Sequence, residues 1–155
     1  MRLGPTIALF ASIISGWIFA FTSIQQETPM LAELRRRYDI LYRHLVNTPN
    51  IDPRFMPLRH KVSILTGIDG VRMNRGTIGY NVNKGYEIYI CLSGVDINSA
   101  MNVLIHELAH ITVPEYDHSP AFWENFKALK ELCKTLGIYE PIVGEKEYCG
   151  IQIRD

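Results

Sequence analysis

Between Asp96 and Trp123 the chain reads DINSAMNVLIHELAHITVPEYDHSPAFW, and this stretch decides the fold. Ile97, Met101, Leu104, Leu108 and Ile111 recur at spacings of four and three, an apolar stripe of helical period. His106 lies two residues from both Leu104 and Leu108, about 200° around the axis from the stripe. It shares a second face with Ser99, Val103 and His110. The residues His106-Glu107-Leu108-Ala109-His110 form an H-E-x-x-H pentad. Imidazoles four residues apart stand one above the other on a helix, so both can reach one divalent metal. The glutamate between them can take a proton from water beside that metal. By residue frequencies the pentad arises by chance in roughly one chain of this size in a few hundred. A histidine that merely fills the core belongs on the apolar stripe, which makes the structural reading the weaker one.

Pro114 ends this helix near Val113 and forces a reversal. Ser119-Pro120 then supplies an N-cap followed by proline at the first helical position. A second amphipathic helix follows, with Phe122, Phe126, Leu129, Cys133 and Leu136 on one face and Glu124, Lys127, Glu131 and Lys134 on the other. Gly137 is its expected stop. His118 is tethered to the first helix by a short turn, eight residues after His110, and is the candidate third ligand. Its alternative is an exposed loop histidine, with Glu124 and Glu131 as rival ligands.

The run from His106 to His110, followed by His118-Ser-Pro-Ala-Phe122-Trp123, resembles the small zinc peptidases of the WLM and SprT-like group. In that group H-E-x-x-H is followed by a third histidine and a Phe-Trp pair opening the next helix. The run is also similar to metallopeptidases encoded by large DNA viruses. The resemblance covers Thr77 to Gly137. It implies an α+β, zincin-like domain, in which a small antiparallel or mixed sheet packs on an active-site helix. It implies Zn2+ held by His106, His110 and His118, with Glu107 as general base for a zinc-activated water and a protein or peptide as substrate. The gap between the second and third histidines is wider than in the WLM pattern. It is also not the metzincin spacing, and no methionine follows Met101 to make a Met-turn.

The first residues suggest a different environment. From Gly4 to Gln26 nothing is charged, and about 20 apolar residues span roughly 30 Å, the thickness of a bilayer core. Residues 1–27 therefore read as an uncleaved N-terminal membrane anchor, a single-pass transmembrane helix touching lipid through residues 5–24. Residues 28–155 read as the zincin-like metallopeptidase domain. A cleaved signal peptide is the alternative and would leave that domain secreted or luminal. Neither orientation nor oligomeric state is written in the sequence. The rival function is a non-catalytic structural or binding membrane protein, such as a virion component, that keeps the zinc site for folding. A zinc hydrolase acting on a non-peptide bond is a further alternative.

Sixteen basic residues balance sixteen acidic ones, so no global field favours nucleic acid. Arg35-Arg36-Arg37, the one basic cluster, reads as a solvated face. Three cysteines without CxxC spacing are not a disulfide framework. Cys133 falls on an apolar stripe, and one bridge involving Cys149 is compatible with an oxidising compartment.

The rest reads as scaffold. Met30 to Val46 has helical period with Leu31, Leu34, Tyr38, Leu41 and Leu45 inward, broken by Asn47-Thr48-Pro49-Asn50. Lys61 to Leu65 reads as a strand. Thr77 to Val82 and Tyr86 to Leu92 read as two more, joined by the hairpin signal Asn83-Lys84-Gly85. Tyr86 to Leu92, just before the pentad helix, is the expected cleft-lining edge. The tail adds a short strand, with Tyr139 or Tyr148 as residues able to reach the cleft. His44 and His60 read as structural or surface residues.

Overall fold

The computed structural model describes residues 27–66 and 77–155. They form α1 (Pro29–Asn47), a 3-10 helix (Pro53–Arg59), β1 (Ser63–Thr66), β2 (Gly79–Val82), β3 (Glu87–Ile90), α2 (Ile97–Ile111), α3 (Pro120–Thr135), β4 (Lys146–Tyr148) and β5 (Ile151–Ile153). The α+β class is as expected, and the main sheet is mixed. The 3-10 helix has no periodic signal in sequence, since prolines at 53 and 57 set a turn that hydrophobicity does not reveal.

Local chemistry starts and stops the helices. Thr28, Asp96 and Ser119 are N-caps whose side chains accept hydrogen bonds from Leu31, Ser99 and Phe122. Pro120 sits at the start of α3, and Gly137, at φ 69, follows its end in the left-handed region. Leu31, Leu34, Tyr38, Leu41 and Leu45 are the buried face of α1, as the periodicity predicts. On α3 Phe122, Phe126, Leu129 and Cys133 are buried too, and Asn125 joins them. The middle helix is different. α2 is enclosed on almost every side, with Ser99 through Ile105 and Glu107 through Ala109 all buried. Its second face is an interior wall.

The sheet order is β1-β3-β2, with β1 parallel and β2 antiparallel to β3. The strand expected at the cleft edge is therefore central. Ile88 and Ile90 are fully buried in the core, while Tyr89 on the opposite face stacks on Tyr80 at 4.8 Å between ring centroids. The in-out alternation marked the two faces correctly, but strand order depends on pairing with β1, far away in sequence. The edge beside the pentad helix is β2.

A second, two-stranded sheet joins β4 to β5 through Cys149 and Gly150, at φ 46 and 86, the positive pair a tight two-residue hairpin requires. Cys91 and Cys149 form a disulfide, and Cys133 is free and buried. Tyr148 is fully buried and its hydroxyl donates to the carbonyl of Cys91. Tyr139 bonds Asn102 and Asp155. Both tyrosines are structural and neither serves the cleft.

Two expectations are corrected here. The arginine cluster is solvated only in part: Arg36 is exposed, whereas Arg35 donates to Ile64 O at 3.0 and 2.7 Å, Arg37 donates to Ile138 O at 2.9 Å, and Glu33 takes both Arg36 and Arg37. The single-pass membrane assignment is also overturned, because among the described residues no helix is long and apolar enough to cross a membrane. The apolar stretch that prompted it, residues 5–24, lies outside the described residues.

Candidate metal centre

His106 and His110 project from one face of α2, and His118 returns from the loop between α2 and α3. The His118 Nε2 atom lies 3.0 Å from that of His106 and 3.1 Å from that of His110. Nitrogens bound at about 2.0–2.1 Å around one tetrahedral ion stand roughly 3.3 Å apart, so this spacing fits a shared ion. The three side chains are the one cluster among the described residues able to hold a metal. Glu124 and Glu131, the rivals for third place, are exposed on α3 and outside it.

Aromatic packing explains why the loop histidine reaches the helix. The fully buried ring of Phe122 lies 4.4 Å from His110, 4.6 Å from His118 and 5.0 Å from His106. Trp123 lies 5.2 Å from His118. The Phe-Trp pair thus floors the triad, and the Ser119 cap fixes where that floor begins. Behind it, Asn125 donates to Thr112 Oγ1 at 2.9 Å, tying α3 to the end of α2.

The electrostatics favour uncharged imidazoles, the form that binds metals. Burial, then repulsion from His110 and His118, holds His106 down to about 4. Burial, then the charges of His118 and Lys84, lowers His110 as well. Glu107 shows the opposite trend for the same reason. It is 7% exposed, and desolvation pushes its carboxyl up to about 7 although a hydrogen bond from Asn81 pulls it down.

Three residues that matter here carry no motif. Asn81 on β2 donates to Glu107 Oε2 at 2.8 Å and to the Glu107 backbone oxygen at 2.6 Å, orienting the carboxylate. Its own Oδ1 is buried and has no partner. Gly79 lets β2 approach the helix: a Cβ there would lie 2.9 Å from Val103 Cγ1 and 3.0 Å from Glu107 Oε1. Lys84 donates to the carbonyls of His110 (3.2 Å), Val113 (2.9 Å) and Glu115 (2.5 Å). It caps the end of α2 and fastens the loop that carries His118. Gly79 and Asn81 read as strand residues and Lys84 as a turn residue, and only the fold turns them toward the pentad.

A WLM domain model matches residues 47–148, two-thirds of the chain. The chain belongs to the WLM domain family. WLM domains are metallopeptidase-like, which agrees with a histidine triad able to hold a metal. The chain is 41% identical over 83 residues to an uncharacterized protein of Acanthamoeba polyphaga mimivirus, covering 48% of this chain and 42% of the viral one. It is 32% identical over 90 residues to an uncharacterized protein of Invertebrate iridescent virus 6, covering 51% of this chain and 49% of that one. These stretches thus span less than half the length of either relative. No solved structure matches the chain.

Proposed function

We propose that residues 28–155 form a zincin-like, zinc-dependent peptidase domain in which His106, His110 and His118 hold the ion and Glu107 is the general base. The observation that carries this reading is the convergence of three Nε2 atoms beside a buried carboxylate. A zinc ion held by these three imidazoles would supply Lewis acidity to a carbonyl and to water. Structural zinc is usually closed by four protein ligands. Among the described residues no fourth donor joins the triad, so this observation favours turnover over a purely structural ion.

The chain's own residues then divide the work. Glu107, near the middle of the physiological range, takes the proton of the attacking water and returns it to the leaving amine. Asn81 holds the carboxylate in place through its amide group. Among the described residues β2 is paired on one side only, so an extended peptide can add along its other edge, past Glu107. Protein substrates follow from that geometry.

The test is metal analysis coupled to casein cleavage by the parent and Glu107→Gln proteins. Zinc near one per chain in both, with cleavage lost by roughly 10²–10⁴-fold in the variant, is the expected result. Equal cleavage by both proteins would refute the role of Glu107. Bound zinc with cleavage in neither would leave the ion structural.

A further inference from the structure

The cleft has two halves, which meet at Gly79, His106 and Glu107. One, about 360 Å³, is lined further by Asn81, Asn83, Lys84 and Tyr116. The other, about 530 Å³, is walled by Val103, Trp123, Phe126 and Ile153. We propose that this second half is a specificity pocket, taking a large apolar side chain from the residue next to the scissile bond. The proposal rests on the peptidase reading above and names the class of peptide it acts on.

Three observations carry it. First, the pocket opens directly onto the reacting groups, since His106 and Glu107 are part of its lining. A side chain seated there belongs to a residue at or beside the bond being cut. Second, the walls are apolar and already fixed. Val103, Phe126 and Ile153 are 2%, 8% and 9% exposed, whereas the Trp123 indole is left 48% exposed. A large apolar side chain would dehydrate that indole, and the volume lies within the roughly 300–1,000 Å³ usual for ligand sites. Third, two of the buried polar groups that line it are committed. The Asn102 amide donates to the Tyr139 hydroxyl at 2.8 Å, and Glu107 is held by Asn81. An acidic side chain would meet the Glu107 carboxylate, which repels it. A basic one would pair with Glu107 and neutralise the base the reaction needs. Arg154, which also lines the pocket, is exposed.

Ile153 sits on β5, so the wall depends on the C-terminal hairpin being in place. No local motif signals this, because Val103, Trp123, Phe126 and Ile153 come from three separate elements.

The experiment uses the full chain loaded with zinc. Cleavage sites in a casein digest are mapped by mass spectrometry, and synthetic peptides then vary the residues flanking the cut bond among Phe, Leu, Gly, Lys and Asp. The expected result is that Phe or Leu on one fixed side raises kcat/KM at least roughly tenfold over Gly or Asp. Ile153→Trp, which fills the pocket, should bring that ratio towards one. A measurement without turnover supports the same point: the Glu107→Gln protein should bind the Phe peptide more tightly than the Gly peptide, by fluorescence anisotropy. Equal cleavage of all peptides overturns the pocket and leaves the peptidase reading intact. A ratio untouched in a folded Ile153→Trp protein overturns it too. Zinc bound with no peptide cut overturns both readings together.

Discussion

Two hairpins flank the cleft, and they are fastened in opposite ways. The β2–β3 hairpin is held to α2 by non-covalent contacts. Asn83, Lys84 and Gly85 take positive φ values of 49, 52 and 95, and a Cβ on Gly85 would lie 2.3 Å from Ile111 Cδ1. Lys84 binds three carbonyls from that platform, and Asn81 reaches Glu107. The β4–β5 hairpin is instead tied covalently to the residue after β3 by Cys91–Cys149, with the buried Tyr148 hydroxyl beside it. The first set of contacts ends on the histidine triad and Glu107. The second ends on the sheet, away from both. Changes in the first hairpin should therefore alter chemistry, and changes in the second should alter stability and the apolar wall.

The largest effect should come from cutting the covalent tie. The bridge closes a separation of 58 residues, for which chain entropy gives about 4 kcal/mol. The Cys91→Ser, Cys149→Ser protein should lose most of that in denaturant unfolding while keeping its zinc affinity. An equal loss of zinc affinity would erase the distinction between the hairpins.

Next in size is a gain. A raised carboxyl pKa adds stability that is fully present below its unfolded value and is lost as pH climbs through the folded one. For Glu107 that window runs from 4.5 up to about 7. Metal-free Glu107→Gln should thus match the parent near pH 4.5 and exceed it above pH 7, by about 3 kcal/mol at most. Unfolding curves of chelator-treated proteins at both pH values measure it. No gap at high pH would mean the carboxylate is better solvated than its burial implies.

A smaller change is expected at Lys84. Lys84→Met frees the three carbonyls and loosens the His118 loop, and should weaken zinc binding about 10–100-fold, as loss of supporting contacts does elsewhere. Competition with a chromophoric chelator reads this directly, and Lys84→Arg should recover part of it. Unchanged affinity would show that the aromatic floor alone places His118. Smallest is Gly79→Ala, at about 1 kcal/mol of overpacking, since the atoms it meets are side-chain atoms able to shift. Its cleavage rate should fall by more than its stability does, because one of those atoms is Glu107 Oε1.

Much of the site was legible before any coordinates. His106, Glu107 and His110 are read from spacing alone, because a helix places positions four apart on one face wherever it occurs. His118 was reachable because Pro114 and the Ser119-Pro120 cap limit where the chain can go between two helices. The buried faces of α1 and α3 follow from period. The strand at the cleft edge was misassigned for a physical reason: alternation reports which face is inward, not which neighbour a strand pairs with. The partner of Cys149 was open for a similar reason, since spacing does not say which thiols meet.

The sequence by itself determined the three long helices, the Ser119 cap and the pentad on its helical face, all of which depend on residues within one or two turns of each other. The tertiary structure decided what surrounds them: β3 in the centre, Asn81 against Glu107, Lys84 on the His118 loop and Cys91 bonded to Cys149. The last three join residues 26 to 58 positions apart. Their partners are chosen by how sheet and helices pack, and no local preference of an asparagine, a lysine or a cysteine encodes that choice.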